Sequence, residues 1–256
     1  MSDSSEYQKK KDFFAKMLTI FGRKPVLEAL QDPKIDVFKL HLADSNKPTP
    51  VLNEMLQIAQ RRNIEVAYYD KKSLSRISKN AKQDQGVALD IHCQHFGDVT
   101  EIVTKPIHNM QLLALDGVTN PQNVGMIIRS VAASPMHGLI LANKGCAKLD
   151  SLVIKASAGA IFKANIYRCE QLDSCLKELS DNQFEIIAVD ARGELKLGDA
   201  AGSGAKVFVM GNESEGISTK VKNICQRTLS IPMSNGVESL NVATAAALVA
   251  FQGLYR

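Results

Sequence analysis

The chain has 256 residues, which is enough for two domains, and its 45% apolar and 23% charged residues are typical of a soluble globular protein. The longest nearly uncharged stretch, residues 242–255, is shorter than the ~20 residues that cross a bilayer, so no membrane association is expected. The amino terminus lacks the apolar core of a signal peptide, and five cysteines without a CxxC pair favour reduced thiols in a cytoplasm. The net charge of +4 only mildly favours a nucleic-acid partner.

The first part of the chain alternates helix and strand patterns after a polar tail. Apolar residues that recur every three or four positions predict helices at residues 23–31 and 50–62. Extended patterns predict strands at residues 36–43, 64–69 and 85–93. We therefore expect a disordered tail over residues 1–12, a small α/β domain over residues 13–97, and a polar linker with one proline over residues 98–108.

The densest basic stretch of the chain lies at residues 71–82 and contains no acid. Its charge alone leaves two interpretations open. One is a solvated helix face, and the other is a surface that contacts nucleic-acid phosphates. The residues that carry the second interpretation are Lys71, Lys72, Arg76 and Lys79.

The rest of the chain, from residue 109, is a longer series of strands and helices. Strands rich in Val, Ile and Leu are predicted at residues 111–117, 137–142, 162–169, 184–191, 205–212 and 228–233. Helices are predicted at residues 123–134, 149–160, 172–182, 218–226 and 240–251. This alternation predicts a mostly parallel sheet that helices cover on both faces. In such sheets ligands bind outside the carboxyl ends of the strands.

The first polar loop at a strand end is "DGVTNPQNVGMIIR", residues 116–129. It is dense in turn formers, and Asn123 is a fair helix N-cap. Arg129 lies nearly two turns into an otherwise apolar helix, where a structural arginine extends to solvent or pairs with an acid. The loop has neither GxGxxG nor a Walker A pattern, which argues against the usual dinucleotide and triphosphate sites.

The second and third loops follow two later strands. In "VMGNESEG" the glycines at positions 211 and 216 allow close approach of the backbone to a ligand, whereas the two acids also favour the start of the next helix. In "IPMSNGVESLNVATAAALVAF", residues 231–251, a polar loop lies directly before the most apolar helix. Glu238 or Ser239 is a plausible cap of that helix.

Together the three loops resemble the three signature motifs of the TrmH (SpoU) family of SPOUT methyltransferases, which methylate the ribose 2′-hydroxyl of RNA with S-adenosylmethionine. The matching segments are "NPQNVGMIIR", "MGNESEG" and "IPMSNGVESLNVATAAAL", in this order. The resemblance covers residues 110–256. The part from "FGRKPVLEAL" to "DQGVAL" is more loosely similar to the substrate-binding domain of members that act on large-subunit ribosomal RNA (the RlmB type).

The resemblance implies a fold and an assembly that periodicity does not predict. Residues 109–256 are expected to form an α/β domain whose parallel sheet ends in a deep trefoil knot, a feature that is otherwise nearly absent from proteins. The last helix is expected to pack against a second subunit, which gives a homodimer with the active site at the interface. Residues 13–97 are expected to bind the RNA substrate.

The resemblance also implies the residues of the site. Gly211, Ile231 and Leu240 are expected to contact S-adenosylmethionine largely through backbone atoms, with Met210 and Met233 beside them. The expected catalytic group consists of Arg129, Asn123, Glu213, Ser239 and Asn241. Guanidinium holds its proton strongly, so Arg129 is expected to act as a cation that stabilises the developing alkoxide and grips a phosphate.

Further roles follow from the same resemblance. Asn123 is expected to orient Arg129 or the ribose, and Glu213 to hold Arg129 or to shape its loop. Ribosomal RNA, at a guanosine, is the expected substrate. The alternatives are a transfer-RNA methyltransferase and a catalytically silent RNA-binding factor of ribosome assembly.

A short segment, "HCQHF", superficially suggests a metal site. It contains His92, Cys93 and His95. Its alternation fits a β-strand instead, and no metal is expected.

Overall fold

The computed structural model describes residues 13–14, 16–79, 83–104, 108–197 and 203–252. The predicted disordered tail at residues 1–12 lies outside this range. The chain divides into two compact units, at residues 1–94 and 95–256. In the described part of the chain, no helix combines the length and the apolar character that crossing a membrane requires.

The first unit is built on a four-stranded sheet with the strand order β1-β4-β2-β3. Its strands are β1 (Met17–Phe21), β2 (Val37–Ala43), β3 (Glu65–Tyr69) and β4 (Val87–His92). Its helices are α1 (Arg23–Gln31), α2 (Pro50–Arg61) and α3 (Lys71–Ser78). Strand β4 is antiparallel to β1 and β2, and β2 is parallel to β3. The sequence pattern predicted every one of these strands except β1, which is short and lacks a regular alternation.

The second unit is built on an eight-stranded sheet in which every pairing is parallel. Its strands are β5 (Phe96–Asp98), β6 (Gln111–Leu115), β7 (Gly138–Ala142), β8 (Ile166–Cys169), β9 (Glu185–Val189), β10 (Leu195–Lys196), β11 (Lys206–Met210) and β12 (Arg227–Ser230). Its helices are α4 (Thr100–Thr104), α5 (Pro121–Ala133), α6 (Ser151–Ala156), α7 (Leu172–Asp181), α8 (Thr219–Lys222) and α9 (Val242–Phe251). Strands such as β7 and β11 are buried along their whole length, which is why all their residues except Lys206 are apolar.

Residues 98–104 were predicted to belong to a linker, but they are part of the second unit. Strand β5 ends at Asp98 and pairs with β8 at the edge of the large sheet. Helix α4 follows, and Val99 and Ile102 are 3% and 2% exposed in the core of the second unit. Two buried apolar side chains decide this packing, and the polar residues between them hide the pattern in the sequence.

The carboxyl-terminal strand enters the sheet between strands that precede it in the chain. The order of strands is β10-β12-β9-β11-β6-β7-β8-β5. After β10 the chain therefore passes to β11 on the other side of β9, and β12 returns to lie between β9 and β10. A Cβ atom added to Gly193, in the β9–β10 loop, would lie 2.3 Å from the backbone carbonyl carbon of Leu229 in β12. The inserted strand thus passes the loop with backbone against backbone.

Replacement of Gly193 by alanine tests this close passage. We expect Gly193→Ala to lower the free energy of unfolding by about 1–3 kcal/mol, because the backbone of β12 must move to admit the methyl group. Urea unfolding is the measurement, and Glu194→Ala, at the exposed next residue, is the control. An unfolding free energy equal to that of the wild type would show that the two segments are not in contact.

Candidate functional site

A cavity of about 240 Å³ lies at the carboxyl ends of β9, β11 and β12 and reaches the start of α9. Its lining is contributed by the segments that follow these strands. The lining residues are Val189, Asp190, Ala191, Met210, Gly211, Asn212, Glu213, Gly216, Ile217, Ile231, Met233, Glu238, Ser239, Leu240, Val242 and Ala245. The structure thus brings together the whole set predicted to contact a cofactor, namely Met210, Gly211, Ile231, Met233 and Leu240.

The charge of the lining is of one sign. Three carboxylates, Asp190, Glu213 and Glu238, line the cavity together with an apolar wall, and the lining contains no lysine, arginine or histidine. Carboxylates repel phosphate groups and attract cations at short range. Lys222 offsets the charge of Asp190, so the negative charge of the lining comes from Glu213 and Glu238. The cavity is therefore better suited to a ligand with an apolar part and a positive charge than to a nucleoside phosphate.

The loop after β11 is closed by its own hydrogen bonds. The Asn212 side chain donates from Nδ2 to the Gly117 carbonyl at 2.8 Å, and its Oδ1 accepts from the N–H groups of Ser214 and Glu215 at 2.8 and 3.2 Å. A Cβ atom added to Gly211 would lie 2.3 Å from the carbonyl carbon of Gly216. The loop folds back so tightly that only glycine fits at position 211.

The helix caps differ from those predicted, and the difference decides which side chains enter the site. Helix α5 is capped by Asn120, whose side chain accepts from the Gln122 N–H at 2.9 Å. Helix α9 is capped by Asn241, whose Oδ1 accepts from the Ala243 N–H at 2.9 Å. The predicted caps Asn123, Glu238 and Ser239 are therefore wrong. Each of these N-termini has at least two candidate polar residues within a few positions, and the sequence alone does not separate them.

The side chains of three polar residues, one from each loop, are joined in a chain of hydrogen bonds. Asn241 donates from Nδ2 to Oδ1 of Asn123 at 3.2 Å, and Asn123 donates from Nδ2 to Oε1 of Glu213. The direction of the chain follows from its first member, because the Ala243 N–H can only donate and so fixes the oxygen of Asn241. The amide nitrogens then point successively toward Asn123 and Glu213. The structure therefore brings three of the five predicted catalytic residues into direct contact.

The other two predicted catalytic residues lie differently. Ser239 is exposed and lines the cavity. Arg129 is exposed on α5 and does not line the cavity, and it forms no hydrogen bond or ion pair with the described residues. Glu213 is bound to Asn123 and not to Arg129. Within one chain, the Arg129 guanidinium therefore does not bind Glu213, Asn123 or Asn241, the residues with which it was predicted to act.

Sequence reasoning missed Asp190, which follows β9 and lines the cavity. Its Oδ2 atom lies 2.9 Å from Nζ of Lys222, and its Oδ1 accepts from the Arg192 N–H at 3.1 Å. These hydrogen bonds, the one from Lys222 above all, hold the pKa of the Asp190 carboxyl below its ordinary value. The available signal was an acid directly after a buried strand, at the sheet edge where ligands bind.

The basic stretch of the first unit forms α3 and the residue that follows it. Asp70 caps this helix by accepting from the Ser73 N–H at 2.8 Å, and the buried face carries Leu74 and Ser78. The predicted phosphate-contacting residues are all exposed, and the structure records no ion pair for them among the described residues; they are Lys71, Lys72, Arg76 and Lys79.

The HCQHF segment ends β4 and continues beyond it. His92 lies 3.1 Å through Nδ1 from Oδ2 of Asp36, and Cys93 is 2% exposed. Among the described residues, no group of three or more histidine, cysteine or acidic side chains is arranged to hold a metal ion.

Two family models match the chain. The SpoU rRNA methylase family matches residues 110–251, and the substrate-binding domain of RNA 2′-O ribose methyltransferases matches residues 19–95. A relative from Mycolicibacterium vanbaalenii, named as an uncharacterized tRNA/rRNA methyltransferase, is 32% identical over 235 residues, which are 90% of this chain and 74% of the relative. A protein of the same name from Mycolicibacterium smegmatis is 32% identical over 233 residues, with the same coverage.

Two solved structures share the fold. An rRNA methyltransferase from Sinorhizobium meliloti, with bound AdoMet, is 22% identical and superposes with a TM-score of 0.63 over 97% of this chain and 89% of that one. The SpoU methyltransferase AviRb from Streptomyces viridochromogenes, also in complex with AdoMet, is 20% identical, with a TM-score of 0.60 over 98% and 92% of the two chains. The predicted α/β fold with a large parallel sheet is confirmed.

The family model covers more than half of the chain and all three polar loops. The curated relatives extend the similarity through the first unit as well. The resemblance that the three motifs indicated is thereby confirmed, and the chain belongs to the SpoU rRNA methylase family.

Proposed function

We propose that this protein transfers a methyl group from S-adenosylmethionine to a ribose 2′-hydroxyl in RNA, and that the substrate is a guanosine of ribosomal RNA. The observation that carries the proposal is the acidic, partly apolar cavity beside the hydrogen-bonded Asn241, Asn123 and Glu213. Membership in a family of RNA methylases supports the reaction class.

The cavity supports S-adenosylmethionine as the donor, because this molecule combines a nucleoside with a sulfonium cation and carries no phosphate. The lining carboxylates Glu213 and Glu238 suit the cation, and the apolar wall suits the adenine ring. The two solved structures that share this fold, from Sinorhizobium meliloti and Streptomyces viridochromogenes, contain bound AdoMet. The residues proposed to contact it remain Met210, Gly211, Ile231, Met233 and Leu240.

When bound, S-adenosylmethionine supplies an electrophilic methyl group for attack by the ribose oxygen. The chain's own part is to place that oxygen and to stabilise its negative charge. A guanidinium holds its proton strongly, so Arg129 acts as a cation beside the hydroxyl and a neighbouring phosphate, and that phosphate accepts the proton that the hydroxyl loses. Asn123 and Asn241 hold Glu213 at the cavity, and Ser239 contacts the ribose of the RNA substrate.

A homodimer accounts for the separation of Arg129 from the cavity of its own chain. The helices that would form the interface, α5 and α9, each expose a large apolar residue, with Met126 at 43% and Leu248 at 40%. Burial of such residues favours association. In the proposed dimer, which is formed through α9, Arg129 completes a site at the interface between the two subunits.

The insertion of β12 between β9 and β10 supports the proposed trefoil knot, in which the final segment threads the β9–β10 connection. The proposed division of labour assigns RNA binding to residues 13–97 and methyl transfer to residues 109–256. The substrate-binding family model over residues 19–95 supports the first assignment. Because the substrate is intracellular RNA, the cytoplasm is the proposed place of action.

Ribosomal RNA is favoured over transfer RNA by the description of the matching family, although relatives are named for both substrates. A silent assembly factor is the second candidate. The alternatives separate in one assay, which is transfer of labelled methyl from S-adenosylmethionine to unmodified ribosomal and transfer RNA, offered separately.

The first prediction that follows from the proposed function concerns Arg129. We expect Arg129→Ala to abolish labelling of ribosomal RNA while the affinity for S-adenosylmethionine stays within about two-fold, because the proposed contacts of Arg129 are with the RNA and not with the cofactor. Lys177→Ala, which removes one exposed cation from α7, is the control. Label on transfer RNA alone would overturn the substrate, and cofactor binding without any labelling would favour the assembly factor.

The second prediction concerns the direction of the hydrogen-bond chain. Asn241→Asp keeps the cap of α9 but turns an acceptor toward Asn123, whose amide must then rotate and present its oxygen to Glu213. We expect turnover to fall about ten-fold or more, and the free energy of unfolding to fall by about 1–3 kcal/mol, because the hydrogen bond from Asn123 to the Glu213 carboxylate is lost. Asn241→Ala is the matched variant, which also costs about 1 kcal/mol of stability through loss of the cap.

Kinetics and urea unfolding of both Asn241 variants separate the two effects. Wild-type turnover in Asn241→Asp would mean that the amide chain has no part in catalysis.

The third prediction concerns α3. We expect the triple replacement of Lys71, Lys72 and Arg76 by alanine to weaken RNA binding and to reduce the slope of log affinity against log salt by about 2 to 3. The matched control replaces two lysines and one arginine that are also exposed in the first unit: Lys34, Lys47 and Arg61. Fluorescence anisotropy with an RNA fragment between 50 and 200 mM salt, roughly the range where phosphate contacts matter, gives the slopes. Equal slopes in the two triple variants would identify α3 as an ordinary solvated face.

A further inference from the structure

Asp190 is a cavity residue to which the reaction described so far assigns no role. Its backbone N–H donates to the Leu229 carbonyl at 3.0 Å, and its carbonyl accepts from the Gly193 N–H at 3.1 Å. These bonds anchor it between the inserted strand β12 and the loop that this strand passes. The side chain is held in turn by Lys222 and by the Arg192 N–H. The carboxylate is therefore ionised and fixed in place.

The free acceptor positions of Asp190 match a pair of donors. Each carboxylate oxygen accepts about two hydrogen bonds. One described donor occupies each oxygen, with Lys222 on Oδ2 and the Arg192 N–H on Oδ1. One position then remains on each oxygen of a side chain that lines the cavity. A vicinal diol presents two O–H groups at the spacing of two carboxylate oxygens.

The order of strands places Asp190 away from the reacting groups. Asn123 belongs to α5, which follows β6, whereas Glu213 follows β11 and Asp190 follows β9. Strand β11 lies between β6 and β9, and neighbouring strands are about 4.8 Å apart. The ligand atoms beside Asp190 are therefore not those of the methyl group, which must face the catalytic side.

The surroundings of Asp190 favour the nucleoside part of the ligand. Its neighbours in the lining include Val189, Ala191 and Ile231, which offer apolar surface to a base. In other parallel α/β folds an acid at a strand end accepts hydrogen bonds from a ribose. Glu238, before α9, is a separate carboxylate in the same cavity and is available to the ammonium group of the methionine part.

We propose that Asp190 accepts hydrogen bonds from the ribose 2′- and 3′-hydroxyls of S-adenosylmethionine, and that Lys222 is the positioning residue that holds its carboxylate. This assignment rests on the proposed cofactor. It makes Asp190 a specificity residue for a ribonucleoside donor, placed where β12 passes the β9–β10 loop.

The test uses the full-length protein and calorimetric titration with three ligands. They are S-adenosylhomocysteine, 5′-methylthioadenosine, which lacks the amino-acid part, and 2′-deoxy-5′-methylthioadenosine. We expect the wild type to bind 5′-methylthioadenosine about 10-fold more tightly than its deoxy analogue, which lacks one charge-assisted hydrogen bond. Asp190→Asn is expected to reduce this ratio to about 1, and to weaken binding of S-adenosylhomocysteine about 10- to 100-fold.

Asp181→Asn, which makes the same change at the exposed end of α7, is the matched control and should bind all three ligands as the wild type does. If Asp190→Asn fails to fold in thermal unfolding, Asp190→Ser takes its place, with the same expected loss of the preference for the diol. Equal affinity of the wild type for the two methylthioadenosines would overturn the assignment.

Two other outcomes separate this assignment from the proposed function. If Asp190→Asn weakened S-adenosylhomocysteine but not 5′-methylthioadenosine, the carboxylate would contact the amino-acid part, and the cofactor would stand while the assignment fell. If the wild type bound none of the three ligands, the cofactor itself would be wrong, and the assignment would fall with it.

The role of Lys222 is tested by kinetics. The ion pair is partly exposed, with 51% of the Lys222 side chain accessible. We expect Lys222→Met to raise KM for S-adenosylmethionine about 2- to 5-fold without a change in kcat, since exposed pairs contribute little, and Lys222→Arg to restore it. A fall in kcat with unchanged KM would contradict a role in positioning Asp190.

Discussion

The site depends on one directional chain of hydrogen bonds, from the Ala243 N–H through Asn241 and Asn123 to Glu213. Its origin is the N-terminus of α9, where an unpaired backbone N–H needs an acceptor. Once Asn241 supplies that acceptor, its amide nitrogen must point outward, and each following amide takes a single orientation. The hydrogen bonds link residues up to 118 positions apart in sequence through groups that have no freedom to reverse.

This series of hydrogen bonds requires that the three loops lie side by side, and the parallel sheet places them there. Parallel strands β9, β11, β6 and the inserted β12 bring their carboxyl ends to one edge. The close passage of β12 against Gly193 and the tight turn at Gly211 both depend on glycine, since a Cβ at either position would meet backbone at 2.3 Å. The cavity forms between these contacts, with three carboxylates and an apolar wall.

Several features of the fold and site were predictable from sequence for a local reason. The mostly apolar sequences of β6, β7 and β11 reflect strands that are buried on both faces. Helices α1 and α2 follow from their amphipathic spacing. The three motif loops were placed at strand ends, and the residues predicted around a cofactor do line one cavity. These inferences need only neighbouring residues and the rule that ligands bind at the carboxyl edge of a parallel sheet.

The sequence by itself thus determined the α/β alternation, the family and the membership of the three loops. Tertiary structure alone decided which asparagine caps each helix, because the choice between Asn120 and Asn123 depends on the partner that Asn123 finds in Glu213. It also placed β12 between two earlier strands, turned the predicted linker at Val99 and Ile102 into core, and brought Asp190 into the cavity. These outcomes are contacts between distant segments, and no local pattern of propensity or spacing encodes them.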